Sequence, residues 1–176
     1  MDMTPSVDNL IAKAKELARK DEDEGAMALA NELAARYPNE MKVWSLRAYL
    51  YGRSGNYAEA VADFTRAIEI NATESGELTL DKGVLTAVDL HFNRGADSFA
   101  LGDNQSAVDD FTKGLDLCDR YGSDDYRETL LFWRAEARLR LGKKQEAILD
   151  LAGVRDDFKF WTYKLRTKAD LLADCR

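Results

Sequence analysis

Apolar and small side chains recur along this chain at three- and four-residue spacing, in paired segments divided by short polar turns. That spacing lines one face of a helix and buries it. The segments predict helices near 5–20, 23–37, 41–54, 57–70, 84–101, 104–120, 124–141, 144–157 and 160–174. One block returns within the pattern: Asp63-Phe64-Thr65-Arg66-Ala67-Ile68-Glu69-Ile70 recurs as Asp110-Phe111-Thr112-Lys113-Gly114-Leu115-Asp116-Leu117. A repeated two-helix unit predicts a stacked array, and arrays bind more often than they catalyse.

Gly55, Gly102 and Gly142 each divide a helix pair and stand 47 and 40 residues apart. Counted from each glycine, small residues lie seven before (Ala48, Gly95, Ala135) and five after (Ala60, Ala107, Ala147). Phe64, Phe111 and Leu151 lie nine after, and Ala67, Gly114 and Val154 twelve after. The same frame centred on Asp21 finds Ala14, Ala26, Ala30 and Leu33, with Pro38 closing the unit. Small residues are what antiparallel helices need where they cross closely, so these columns read as packing geometry.

At these columns the chain resembles the tetratricopeptide repeat family. Trp44, Tyr51, Gly55, Tyr57, Ala60, Phe64 and Ala67 carry the resemblance most closely, followed by Arg94-Gly95, Ala107, Phe111 and Leu115. Leu131, Arg134-Ala135, Gly142, Ala147 and Leu151 form a looser third unit, and the N-terminal unit is degenerate. The resemblance implies an all-α solenoid of about four helix-turn-helix repeats, near 5–38, 41–72, 88–121 and 128–158, within a single domain over 1–176. Spacings of 47 and 40 exceed the 34 residues of the family repeat. The 40-residue version resembles the long-helix repeats of kinesin light chains and bacterial response-regulator arrays. The extra length falls in Asn71–Gly83, read as a surface loop, either a plain insertion or a contact loop for a partner.

Composition narrows the function classes. With 45% hydrophobic and 32% charged residues, 176 residues suffice to bury a core between stacked hairpins. The net charge of −7 argues against nucleic acid, which demands a concentrated basic face. No apolar run approaches the length that spans a bilayer, and Met1–Ser6 has no basic stretch leading into an apolar one, so a cytoplasmic protein with no membrane contact is expected. Cys118 and Cys175 define no disulfide framework and no metal-ligand spacing. Asn71-Ala72-Thr73 and Asn104-Gln105-Ser106 match the glycosylation pattern, which has no meaning without export. The acidic run Asp21-Glu22-Asp23-Glu24 is a solvated turn at a helix N-terminus or a patch for a basic partner.

Catalytic chemistry is thin. His91, the only histidine, occupies the packing column of Trp44 and Leu131. Acidic pairs such as Asp109-Asp110, Asp124-Asp125 and Asp156-Asp157 project about 100° apart on a helix and do not converge. No phosphate loop, nucleophile motif, cofactor site or metal site is expected, and the chain reads as a non-enzyme.

The resemblance places the first helix of each pair on a concave face. Ser45, Leu46, Tyr49, then Asp89, Phe92, Asn93 and Ala96, then Thr129, Phe132, Trp133 and Glu136 point there, with Lys15 and Arg19 extending it and Arg53 and Arg140 at helix ends. The expected protein-binding groove is Ser45, Tyr49, Arg53, Phe92, Asn93, Trp133, Glu136 and Arg140, although Tyr49, Phe92 and Trp133 read equally as core, because the long helices and the C-terminal segment could fold over them. The family's carboxylate clamp survives only at Asn93, which argues against a chaperone-tail role. The segment from Phe158 through Leu165, Leu171 and Cys175 reads as an amphipathic helix over 160–174 that caps the array or forms a dimer surface. The leading expectation is an adaptor that binds a peptide or protein segment, as monomer or weak homodimer. The alternatives are an acidic antagonist or chaperone of a basic effector or toxin, and a self-associating structural module.

Overall fold

The computed structural model describes residues 5–74, 83–161 and 165–176. In it the glycine frame becomes a series of helical hairpins. The chain divides into two compact units, Met1–Glu77 and Leu78–Arg176. Unit 1 holds α1 (Val7–Arg19), α2 (Asp23–Arg36), α3 (Met41–Arg53) and α4 (Tyr57–Glu74). Unit 2 holds α5 (Gly83–Leu101), α6 (Asn104–Tyr121), α7 (Arg127–Arg140), α8 (Lys144–Ala152), the strands β1 (Lys159–Trp161) and β2 (Leu165–Thr167), and α9 (Lys168–Asp174). Within each unit, helices consecutive in sequence pack on each other.

The turns show why glycine recurs. Gly55, Gly102 and Gly142 have φ of 80°, 84° and 75°, a left-handed conformation that opposes any side chain with a Cβ. In the first hairpin the same place is filled by Asp21 with φ 59°. The small-residue columns fulfil their purpose: Ala48, Ala60, Ala107, Ala135 and Ala147 are all fully buried. Gly95 lets α5 approach α6 more closely still, since a Cβ there would lie 2.7 Å from the Phe111 ring.

A charged clasp closes three of the hairpins. Eight residues before each turn glycine stands an arginine and eight after it an aspartate. Arg47 donates from Nε and Nη2 to Asp63 at 2.6 and 2.9 Å. Arg94 does the same to Asp110 at 2.8 and 2.7 Å, and Arg134 to Asp150 at 3.1 and 2.6 Å. All three aspartates are buried, so each planar guanidinium answers a carboxylate that water does not solvate. The first hairpin has Lys13 and Leu29 at the corresponding places and lacks the clasp.

Within each unit the cores join one hairpin to the next helix in sequence. In unit 1, Ile11, Ala14 and Ala18 of α1 pack with Ala26, Ala30 and Leu33 of α2 and with Val43, Leu46 and Leu50 of α3. In unit 2, Phe99 of α5, Phe111 and Leu115 of α6 and Leu130, Trp133 and Ala137 of α7 form one cluster. Phe132, Ala135, Ala147, Leu151 and Val154 form a second, into which α9 inserts Leu171.

Two expectations need correction. The region expected as one helix over 160–174 is an antiparallel strand pair followed by the short α9, with Phe160 opposite Arg166 and Lys159 opposite Thr167. Phe158 and Phe160 bracket an exposed Lys159, a two-residue alternation that suits an extended chain with one face buried. Thr167 then caps α9 in a reciprocal box with Asp170. The expected loop over 71–83 is also shorter, because α4 continues to Glu74 and α5 begins at Gly83. The remainder of that loop lies outside the described residues.

Candidate protein-interaction surfaces

In unit 1 an ion pair joins the start of α3 to the start of α1, and another joins the end of α3 to the α1–α2 turn and the start of α2. Lys42 Nζ donates to Asp8 at 2.9 Å, and Arg53 Nη2 donates to Asp21 and Asp23 at 3.2 Å each. Along α3 between these bridges, at successive turns, lie half-buried Ser45 and then Tyr49, which is 50% exposed. The Tyr49 hydroxyl, together with Asp21 and Asp23, holds Arg53 more firmly protonated than an ordinary guanidinium. Lys15 and Arg19 are exposed on α1. An exposed aromatic ring flanked by fixed charges is the composition of an anchor point for a partner.

In unit 2 the corresponding helices are α5 and α7, and their side chains lie differently. Trp133 is 7% exposed and Glu136 8% exposed. The Trp133 ring meets Phe99 at 5.3 Å, Phe92 at 5.9 Å and Phe111 at 6.0 Å between centroids. Phe92 also contacts Tyr126 at 6.0 Å, and the Tyr126 hydroxyl donates to Asp89 at 3.1 Å. Half-buried Asn93 donates to the Asp89 carbonyl at 2.8 Å. Arg140 lies over the Phe99 ring, 3.5 Å from its centroid, and donates to the Phe99 carbonyl. Over these aromatics comes the chain's own β1, with the Phe160 ring 5.9 Å from Trp133 and 6.5 Å from Phe92. Phe158 packs on Phe132 at 5.3 Å.

Of the eight expected groove residues, Ser45, Tyr49 and Arg53 therefore come together on α3, whereas Phe92 and Trp133 come together beneath a strand. Sequence reading allowed the C-terminal segment as a cover over Tyr49, Phe92 and Trp133 alike, but expected it as a helix. It also missed a groove of about 490 Å³ in unit 1, lined by Asp23, Glu24, Met27, Ala28, Asn31, Leu50, Tyr51, Ser54 and Asn56. Its sequence signal was the acidic run beside the apolar stripe of α2.

Titratable groups elsewhere are tied into packing. His91 Nδ1 lies 2.8 Å from Asp110, which Arg94 also holds. Burial would push the Asp110 carboxyl up, but the hydrogen bonds from His91 and Arg94 outweigh it and hold the carboxyl below its usual range. Burial raises the Cys118 thiol, the opposite of what an activated nucleophile needs. Asp97 of α5 occupies the column that holds buried Leu50 on α3 and Ala137 on α7, and burial pushes its carboxyl up to about 7.

Residues 42–73, nearly all of α3 and α4, match the family model for the tetratricopeptide repeat. The chain carries a tetratricopeptide repeat. Its fold is that of tetratricopeptide-repeat proteins. The solved structure of YrrB, a TPR protein with an unusual peptide-binding site, matches at TM-score 0.63 and 17% identity, over 82% of this chain and 64% of that one. At that identity the likeness establishes the fold alone, and this chain spans less than two thirds of YrrB. A tetratricopeptide repeat protein from Parabacteroides merdae is 20% identical over 98% of this chain and 72% of that one, with TM-score 0.41. No curated protein matches the chain. Among the described residues, no helix is long and apolar enough to cross a membrane.

Proposed function

We propose that this chain is a non-catalytic protein-interaction module that takes a segment of a partner protein on the α1/α3 face of unit 1. The tetratricopeptide fold is a scaffold for protein–protein interaction, but a fold does not choose the site. The observation that carries the choice is Tyr49, a half-exposed ring midway along α3 with bridged charges at either end of the face. Such a ring offers large contact area at a small entropic loss, and Lys15, Arg19 and Arg53 suit a segment bearing acidic or amide groups.

Panning a displayed peptide library on the full chain tests the reading. Selected peptides should bind Tyr49→Ala at least tenfold more weakly, about 1.4 kcal/mol, with helical content unchanged. Peptides that bind both proteins equally would put the site elsewhere. The acidic-rimmed groove supports a second reading, because Asp23 and Glu24 stand over an apolar floor of Met27, Leu50 and Tyr51. That site would take a lysine or arginine with its aliphatic stem, and the selected peptides would be basic and would lose binding to Glu24→Lys.

A further inference from the structure

We propose that the α5/α7 face of unit 2 is a second binding site, for an extended segment with two aromatic side chains two residues apart, and that β1 occupies it as an internal ligand. In an extended chain, residues two apart share a face. Phe158 and Phe160 stand in that relation, with their rings stacked 9° from parallel at 6.4 Å. Both point at first helices: Phe158 meets Phe132 of α7, and Phe160 meets Trp133 of α7 and Phe92 of α5 edge-on. An extended segment whose alternate side chains fill an aromatic-lined groove is how short linear segments are recognised.

The internal occupant leaves that site incompletely satisfied. Trp133 is more than nine-tenths buried, and its indole N–H finds no acceptor among the described residues. A buried donor without a partner is destabilising, and the Phe160 ring against Trp133 offers it no oxygen. A segment from another protein with a carbonyl, carboxylate or amide oxygen beside its second aromatic residue would answer the N–H as well as fill the groove. The internal strand is also short. β1 and β2 pair over three residues each, and a two-stranded ribbon has little stability of its own. Other hydrogen bonds of this region lie on the return arm and α9: Arg166 with Asp174, Thr167 with Asp170, and Lys168 Nζ with Asp156 and the Val154 carbonyl. Release of β1 from the aromatic face would therefore leave those side-chain bonds formed. A site already filled from within binds an outside segment with its intrinsic affinity multiplied by the fraction of time it stands open.

The test is titration of a labelled synthetic peptide, Arg-Asp-Asp-Phe-Lys-Phe-Trp-Thr, the sequence of residues 155–162, into the full chain. Phe160→Ala, which removes the internal competitor's main anchor, should bind this peptide at least tenfold more tightly than the unaltered chain. Thr167→Ala loosens the return arm without touching the groove and should give a smaller gain in the same direction. The peptide with both phenylalanines replaced by alanine should bind neither variant, and Tyr49→Ala should leave all these affinities unchanged, which separates this site from the one on unit 1. A Phe160→Ala protein of unaltered helical content that binds no more tightly would overturn the proposal. If Phe160→Ala loses its fold, absence of a gain in Thr167→Ala overturns it instead. An unaltered chain that forms a dimer dissociated by the peptide would make the occupant a second copy, and would overturn the internal assignment.

Discussion

The two units present the same helices to very different ends. Ten, nine and six residues before the turn glycine, unit 1 has Ser45, Leu46 and Tyr49 on α3, whereas unit 2 has Phe92, Asn93 and Ala96 on α5 and Phe132, Trp133 and Glu136 on α7. A face with one ring and charged neighbours can remain in water. Three rings on adjacent helices cannot without losing the apolar burial they offer, and the chain supplies Phe158 and Phe160 to cover them. The difference between an exposed surface and a sealed one thus lies in a few side chains, while the backbone frame stays constant.

What the units share should give the largest effect when removed. Asp63→Ala in unit 1 and Asp110→Ala in unit 2 each leave an arginine without its buried carboxylate, and each should lower stability by about 3–5 kcal/mol in denaturant unfolding. A large loss in one unit and none in the other would mean that the clasp is not a common device. Next come the crossings. Ala60→Leu and Ala107→Leu should each cost about 1–3 kcal/mol through overpacking, since both alanines are fully buried. A melting curve unchanged by either would break the common frame.

Asp97 separates the units by pH. Its folded pKa is raised to about 7, so between about pH 4 and pH 7 the folded state holds a proton that the unfolded state has lost. Stability from this group is therefore full below about pH 4 and falls as pH rises to 7. Asp97→Asn should remove that slope and stabilise the protein at pH 8 by on the order of 1–2 kcal/mol, after discounting for the water that reaches a half-buried group. Unfolding curves at pH 5 and pH 8 read the effect, and a slope unchanged in the variant would contradict it. Asp110 runs the other way, its contribution present near neutrality and lost as pH falls through its depressed folded pKa. The smallest effect belongs to the first hairpin, where Asp21→Gly should relieve a left-handed backbone and gain about 0.5–1 kcal/mol by thermal melting.

Much of the fold was legible because glycine and alanine columns are direct consequences of turn conformation and close helix crossing. The helices through Arg140 begin and end within a few residues of the periodic segments. The clasp was visible only as two separate columns, and nothing in hydrophobic periodicity joins Arg47 to Asp63 or Arg94 to Asp110. The C-terminal strands were missed because Leu165, Leu171 and Leu172 fall at spacings compatible with a helix, which masked the shorter alternation Phe158-Lys159-Phe160. For the candidate sites, periodicity located the helix face carrying Tyr49 and Trp133. It could not tell which of the two would be covered, since the cover comes from a segment 25 residues beyond Trp133 that was assigned the wrong secondary structure.

The contrast between the units comes down to Tyr49 standing exposed on α3 while Phe158 and Phe160 cover the aromatic side chains of α5 and α7. Hydroxyl-radical footprinting of the full chain, read residue by residue, tests it directly. Tyr49 should be modified within a few-fold of its rate in the unfolded chain, Phe92 and Trp133 should be more strongly protected, and Phe160→Ala should reduce their protection while leaving Tyr49 unchanged. Modification of Trp133 as fast as Tyr49 in the unaltered chain, or protection of Phe92 and Trp133 unchanged by Phe160→Ala, would contradict it.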